Sequence, residues 1–229
     1  VTSILWLFVY LFINTISETT FEPKLENNKL VRGELSTHKI IENTMSFIHA
    51  GGAITLCIFY LIDYRWKNYV MVYGTGYFLY ATLYQYILLV GKTFMKFENK
   101  MSNAYLIHHI ITFISLSYIS QPTLEKYLIL GYLFAEVSNI PMYIAYNQLN
   151  NVKAFEKIYK EDNTTIYARK IRPSSEVLYA EAIIYTYSRI FLGGYLIGKL
   201  CYTTSSLIIE GILLYMMSII WCIKLWKQI

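Results

Sequence analysis

The sequence predicts an all-α fold: a polytopic transmembrane helix bundle of six to seven spans, with its C-terminus in the cytosol. Three observations predict it. Hydrophobic residues make up 55% of the 229 and charged residues 15%, where soluble domains run at about 45–50% and about 25%. The apolar residues are gathered into runs at 1–14, 43–62, 69–90, 104–120, 127–147, 177–199 and 203–223, most of them near the ~20 residues that cross hydrocarbon. Lys and Arg also divide unevenly between alternate loops. Only Arg65, Lys67, Lys126 and Lys199 fall on one side, Arg189 lies inside a span, and all the others fall on the opposite side. That excess marks the cytosolic face.

Residues 1–42 are expected to hold a short N-terminal segment and a cytosolic loop. The run 1–14 reads as a span or as the apolar core of a signal sequence, the span being favoured on length. Residues 43–226 form the transmembrane domain. Its second and fourth spans enter from the cytosol near Asn43 and Ala104, and the fifth exits there near Asn147. In the sixth span, Gly194 and Gly198 are a small-xxx-small pair suited to a close helix crossing. The loop at about 148–176 contains the sequon Asn163-Thr164-Thr165, which a cytosolic location would leave unmodified.

Several function classes fall away. Cys57, Cys201 and Cys222 are scattered among apolar segments, giving neither a disulfide framework nor zinc spacing. Four histidines, one of them (His38) in a loop, are too few for the clusters that membrane desaturases need, so no metal is expected. The last span has no central Lys for a retinal Schiff base. No nucleic-acid partner is expected; the partners are membrane lipids.

Titratable residues inside a span are functional candidates by default, because hydrocarbon tolerates them only against protein or water. Ser46 and His49 share a face of the second span at i, i+3. The fourth span carries His108 and His109 about one turn in. Successive helical residues are about 100° apart, so the two imidazoles point differently. His108 shares its face with Thr112 and Ser115 and is the better candidate for a polar pocket, while His109 lies with Phe113 and Leu116. The fifth span carries Glu136, Asn139 and Tyr143 along one stripe. Glu136 and Arg189 fall at similar depths near the bilayer centre, and a mutual ion pair is the economical expectation. Tyr73, Tyr77, Tyr80 and Tyr84 form a stripe whose hydroxyls either line a lipid cavity or belong to helix packing.

These residues resemble the TLC-domain family of membrane proteins, which includes ceramide synthases. The resemblance runs from about Met45 to Lys224. Its strongest block is Leu106-Ile107-His108-His109-Ile110-Ile111-Thr112, followed by Ser117-Tyr118, which is similar to the double-His helix of that family. Ala135-Glu136-Val137-Ser138-Asn139 stands where ceramide synthases carry H-D-x-S-D. Ser46-Phe47-Ile48-His49-Ala50 and Gly76-Tyr77-Phe78-Leu79-Tyr80 resemble the non-synthase members. Ala135 replaces the His of the motif, and Glu136 and Asn139 replace its two Asp, which moves the chain towards the divergent TLC-domain branch.

The resemblance implies a lipid-directed protein of the endoplasmic reticulum or a related endomembrane. Its enzymatic version moves an acyl group from acyl-coenzyme A, a co-substrate, to a long-chain base or similar amine, with no bound cofactor. His108 would then be nucleophile or general base, His109 would assist, and Glu136 would orient or charge-stabilise the imidazole. Ser46, His49, Thr112, Ser138, Asn139, Tyr143 and Arg189 would line the lipid pocket. Lys92, Lys96 and Arg172 are candidates to attract coenzyme A phosphates, although cytosolic loops are basic anyway. The alternative is a non-enzymatic lipid-binding regulator of membrane composition, or a trafficking or chaperone protein, using the same cavity.

Overall fold

The structure, a computed structural model, describes residues 4–9, 11–12, 34–95, 102–117, 122–158, 175–203, 208–227 and 229. The sequon at Asn163, together with Lys96 and Arg172, lies outside them. Helix α1 covers residues 4–9 and 11–12; α2 is Glu34–Ile62, α3 Lys67–Met95, α4 Ser102–Ser117 and α5 Pro122–Ile158. Helix α6, Ser175–Tyr185, runs through a π-helical stretch at Thr186–Leu192 into α7, Gly193–Thr203, and α8 is Ile208–Trp226. No strand occurs among the described residues.

The described residues of the apolar runs are helical, because a backbone surrounded by side chains satisfies its own polar groups only through i→i−4 bonds. Several helices outrun their apolar stretch. The polar ends of α2, α3 and α5 continue the same hydrogen-bond ladder, so hydropathy does not mark where the helix stops. Between α2 and α3, Asp63 caps the 3₁₀ turn Tyr64–Trp66 through the Arg65 amide at 3.0 Å. Its other carboxylate oxygen accepts from the Arg65 guanidinium at 2.7 Å, which holds the Asp63 carboxyl below its ordinary value.

Contacts give the helix directions. His49 meets Tyr132 and Cys57 meets the Ile129 carbonyl, so α2 and α5 are antiparallel. Gly74 approaches Leu116 and Phe78 approaches His109, so α3 and α4 are antiparallel. Arg189 reaches Ser138 while Gly131 faces Leu196, setting α5 against α6–α7 in the same sense. Gly194 lies under Tyr215 and Thr186 bonds the indole of Trp226, so α8 runs back along α6–α7. Lys67 and Glu125 pair at 3.0 Å, tying the start of α3 to the start of α5.

Polarity is inverted relative to a soluble domain. His49, Glu136, Ser138, Asn139, Glu181, Ser188 and Ser218 are buried, while Phe8, Phe12, Ile58, Leu83, Ile107, Ile114, Leu213 and Ile220 are exposed. Extended apolar exteriors mark surfaces that meet something other than water. Three helical stretches, Glu42–Ile62, Leu124–Ala145 and Ile208–Trp226, are long and apolar enough to cross a membrane, and Leu106–Ser117 is a shorter apolar helix. This is the organisation of an integral membrane protein.

Candidate functional site

One face of α5 carries Tyr132, Glu136 and Asn139 at i, i+4 and i+7, the spacing that stacks side chains along a helix. His49 of α2 meets this face and is only 1% exposed. Its Nε2 lies 2.8 Å from the Tyr132 hydroxyl and 3.6 Å from Glu136 Oε1. The imidazole is held flat between two rings of α3, Tyr77 at 3.7 Å and Tyr73 at 5.2 Å between centroids. Trp6 of α1 stands edge-on to the same ring at 5.6 Å. Ser46, one turn before His49, bonds Tyr77 through its hydroxyl at 2.8 Å. Gly74 is small because it must be: a Cβ there would come within 3.0 Å of the Tyr132 hydroxyl.

Asn139 donates to Glu136 Oε2 at 3.2 Å and accepts from Arg189 Nη2 at 2.9 Å. An amide is suited to this place because it offers a donor to the carboxylate and an acceptor to the guanidinium together. Arg189 also donates from Nε to Ser138 Oγ at 2.8 Å and from Nη2 to the Ala135 carbonyl at 3.1 Å. The expected direct ion pair between Glu136 and Arg189 is therefore replaced by an amide relay. Depth brought the two charges level, but Asn139, one turn along, occupies the space between them.

Arg189 sits within the π-helical stretch, where the Gly193 amide reaches back to the carbonyls of Ser188 and Ile190. Such stretches insert extra residues per turn and are frequent at functional sites. Here the stretch turns Ser188 and Arg189 towards α5.

Between α4, α5, α6–α7 and α8 lies a cavity of about 140 Å³. His108, Glu136, Arg189, Ser188, Ser218 and Tyr132 are among its polar lining residues, and Leu128, Leu196, Leu200 and Leu214 are among its apolar walls. Along α5 it extends from Glu136 to Tyr127, roughly 13 Å at 1.5 Å per residue. His108 meets Trp221 edge-on at 5.5 Å and His109 at 5.6 Å. Its Nδ1 is buried with no hydrogen-bond partner.

His108, Thr112 and Ser115 all line the cavity. His109 turns to α3, with its ring 5.5 Å from Phe78 and 6.4 Å from Tyr77. Glu136 lines the cavity but makes no hydrogen bond to His108; the imidazole it faces is that of His49. Arg189 and Thr112 are on the wall, Ser138 and Asn139 stand behind Arg189, and His49 stands behind Tyr132. Ser46 and Tyr143 are not on the wall, and Tyr143 is half-buried elsewhere on α5. The tyrosine stripe belongs to packing: Tyr77 and Tyr80 are core residues, and the ring α3 presents to the cavity is Phe78.

Sequence reading missed Tyr132, Trp221, Ser188 and Ser218. Tyr132 was within reach, since it stands one turn before Glu136 on the same stripe. Trp221 carried no signal, because an aromatic in an apolar run is ordinary. Among the described residues no three His, Cys, Asp or Glu side chains gather as a metal would require.

Fold and site together define a class: an all-helical bundle with membrane-length helices, enclosing an amphipathic cavity with an imidazole, a carboxylate and a guanidinium on its wall. Comparison with protein-family models, with curated proteins and with solved structures finds no match to this chain.

Proposed function

We propose that this protein acts on lipids within the membrane, as a TLC-type protein whose cavity admits an acyl chain, and that it carries out N-acyl transfer at His108. In this reading the antiparallel helices from α2 to α8 all span the bilayer, the C-terminus is cytosolic, and the membrane is the endoplasmic reticulum or a related one. The observation that supports the reading is the place of His108. It stands on the cavity wall beside Glu136 and Arg189, with its Nδ1 unpartnered. A general base needs a nitrogen within hydrogen-bond reach of the proton it takes.

In the reaction, a long-chain amine attacks the thioester carbonyl of acyl-coenzyme A. The C–N bond forms, the C–S bond breaks, His108 takes the amine proton, and that proton leaves with the coenzyme A thiol. Arg189 would face the carbonyl oxygen as negative charge develops on it, the role in which prealigned donors contribute most. His109 packs against α3 and supports the helix that presents His108.

One observation favours the non-enzymatic reading, in which the same cavity only binds lipid. Glu136 is committed to His49 and Asn139, so among the described residues no carboxylate is seen to orient His108. A single experiment separates the two. Purified protein is incubated with labelled acyl-coenzyme A and a panel of long-chain amines, beside His108→Ala and His109→Ala. Transfer predicts acylated product that His108→Ala abolishes. No product above these controls, with lipid binding intact in all three proteins, leaves the binder reading standing and removes the transferase.

A further inference from the structure

Arg189 is held by three hydrogen bonds, and all of them use Nε or Nη2. Its Nη1 makes none among the described residues. No carboxylate reaches it at ion-pair distance, because Glu136 is turned to Asn139 and His49. The ring of Tyr185 lies 5.6 Å from the guanidinium carbon. All three acceptors around it come from α5, so the guanidinium is fixed rather than mobile. The Glu136 carboxylate reaches it only through the Asn139 amide, so the guanidinium has no direct counter-charge among the described residues.

The cavity supplies a place for one. Arg189 lies on its wall, with Ser188 adjacent and aliphatic side chains of Leu128, Leu196, Leu200 and Leu214 beyond. Along the roughly 13 Å that α5 contributes, aliphatic side chains share the wall with the hydroxyls of Ser115, Tyr127 and Tyr215. About 140 Å³ is similar to engineered cavities that hold one benzene-sized group, so the enclosed space takes one head group and the first few carbons of a single tail. We propose that the cavity binds a single-chain amphiphile with an oxyanion head, seated on the Nη1 edge of Arg189, with its tail along α5 and α7. The inference shares the cavity and Arg189 with the transfer reaction and holds whether or not His108 carries chemistry.

The test uses the full chain in nanodiscs, with empty nanodiscs as blank, and competition against radiolabelled palmitate. Palmitate, hexadecyl phosphate, hexadecanol and hexadecylamine share one tail and differ in the head. Hydrogen bonds to charged groups contribute about 1.5–3 kcal/mol, so at least one oxyanion should bind roughly tenfold or more tighter than hexadecanol. Arg189→Gln should remove that preference while leaving hexadecanol binding unchanged, which also reports that the variant folds. Palmitate above hexadecyl phosphate makes the head a carboxylate, and the reverse order makes it a phosphate; either order supports the site. Equal binding of both oxyanions and hexadecanol to the wild-type protein, or tighter binding of hexadecylamine, overturns it. Because this comparison needs no acyl-coenzyme A, loss of transfer and loss of anion selectivity are separately observable.

Discussion

Replacing Asn139 tests the relay that joins α5 to the π-helical stretch. In Asn139→Leu, Glu136 loses a donor at 3.2 Å and Arg189 loses an acceptor at 2.9 Å. Bonds to charged groups contribute about 1.5–3 kcal/mol each in soluble proteins, whereas membrane helices average about 0.6 and reach about 1.7. Two such bonds, both ending on charged groups, put the loss at about 2–4 kcal/mol. Asn139→Asp behaves differently. At an effective dielectric of 20, its attraction to Arg189 at 2.9 Å is about 6 kcal/mol. Its repulsion from Glu136 at 3.2 Å is about 5 kcal/mol. The two nearly cancel, which leaves the lost donor to Glu136 and the desolvation of a second carboxylate, so Asn139→Asp should also be destabilised at neutral pH, by about 1–3 kcal/mol. Reversible unfolding in mixed micelles, followed by far-UV circular dichroism, measures both. A Leu variant or an Asp variant indistinguishable from wild type would refute the relay.

Two further outcomes follow from the same geometry. Tyr132→Phe leaves His49 Nε2 with Glu136 at 3.6 Å as its remaining polar neighbour, and should cost about 1–2 kcal/mol. The cycle with His49→Phe, which keeps a ring between Tyr73 and Tyr77, should show coupling above about 0.5 kcal/mol; additive losses would deny the bond. Gly194→Leu should destabilise by about 1–3 kcal/mol, since a Cβ there would lie 2.8 Å from the Tyr215 hydroxyl. Gly198→Leu, with nothing within 4 Å of its Cβ, should leave the unfolding midpoint unchanged, and the same micelle assay compares the pair.

Gly194 and Gly198 illustrate how far spacing carries. Their separation of four residues marks one helix face, yet only Gly194 meets a neighbour closely. Which part of a face is covered depends on the helix packed against it, and α8 presents Tyr215 at one position and nothing at the other. The two histidines of α4 show the favourable case. A rotation of about 100° between successive residues separates them from sequence alone, and the structure has His108 on the cavity and His109 against α3.

By itself the sequence determined the helices, through apolar runs that a backbone can bury only by bonding to itself, and the polar stripe of α5, through spacing at 3.6 residues per turn. It also put Glu136 and Arg189 at one depth, because both positions count from the ends of their spans. Only the tertiary structure decided which groups touch. Glu136 faces His49 and not His108 because α2 packs on that side of α5, a long-range choice that no local spacing encodes. Arg189 faces Asn139 and not Glu136 because the π-helical stretch resets the angle of α6 midway. Depth is a property of one chain segment, readable by counting. Azimuth is a property of two helices together, settled when their side chains pack.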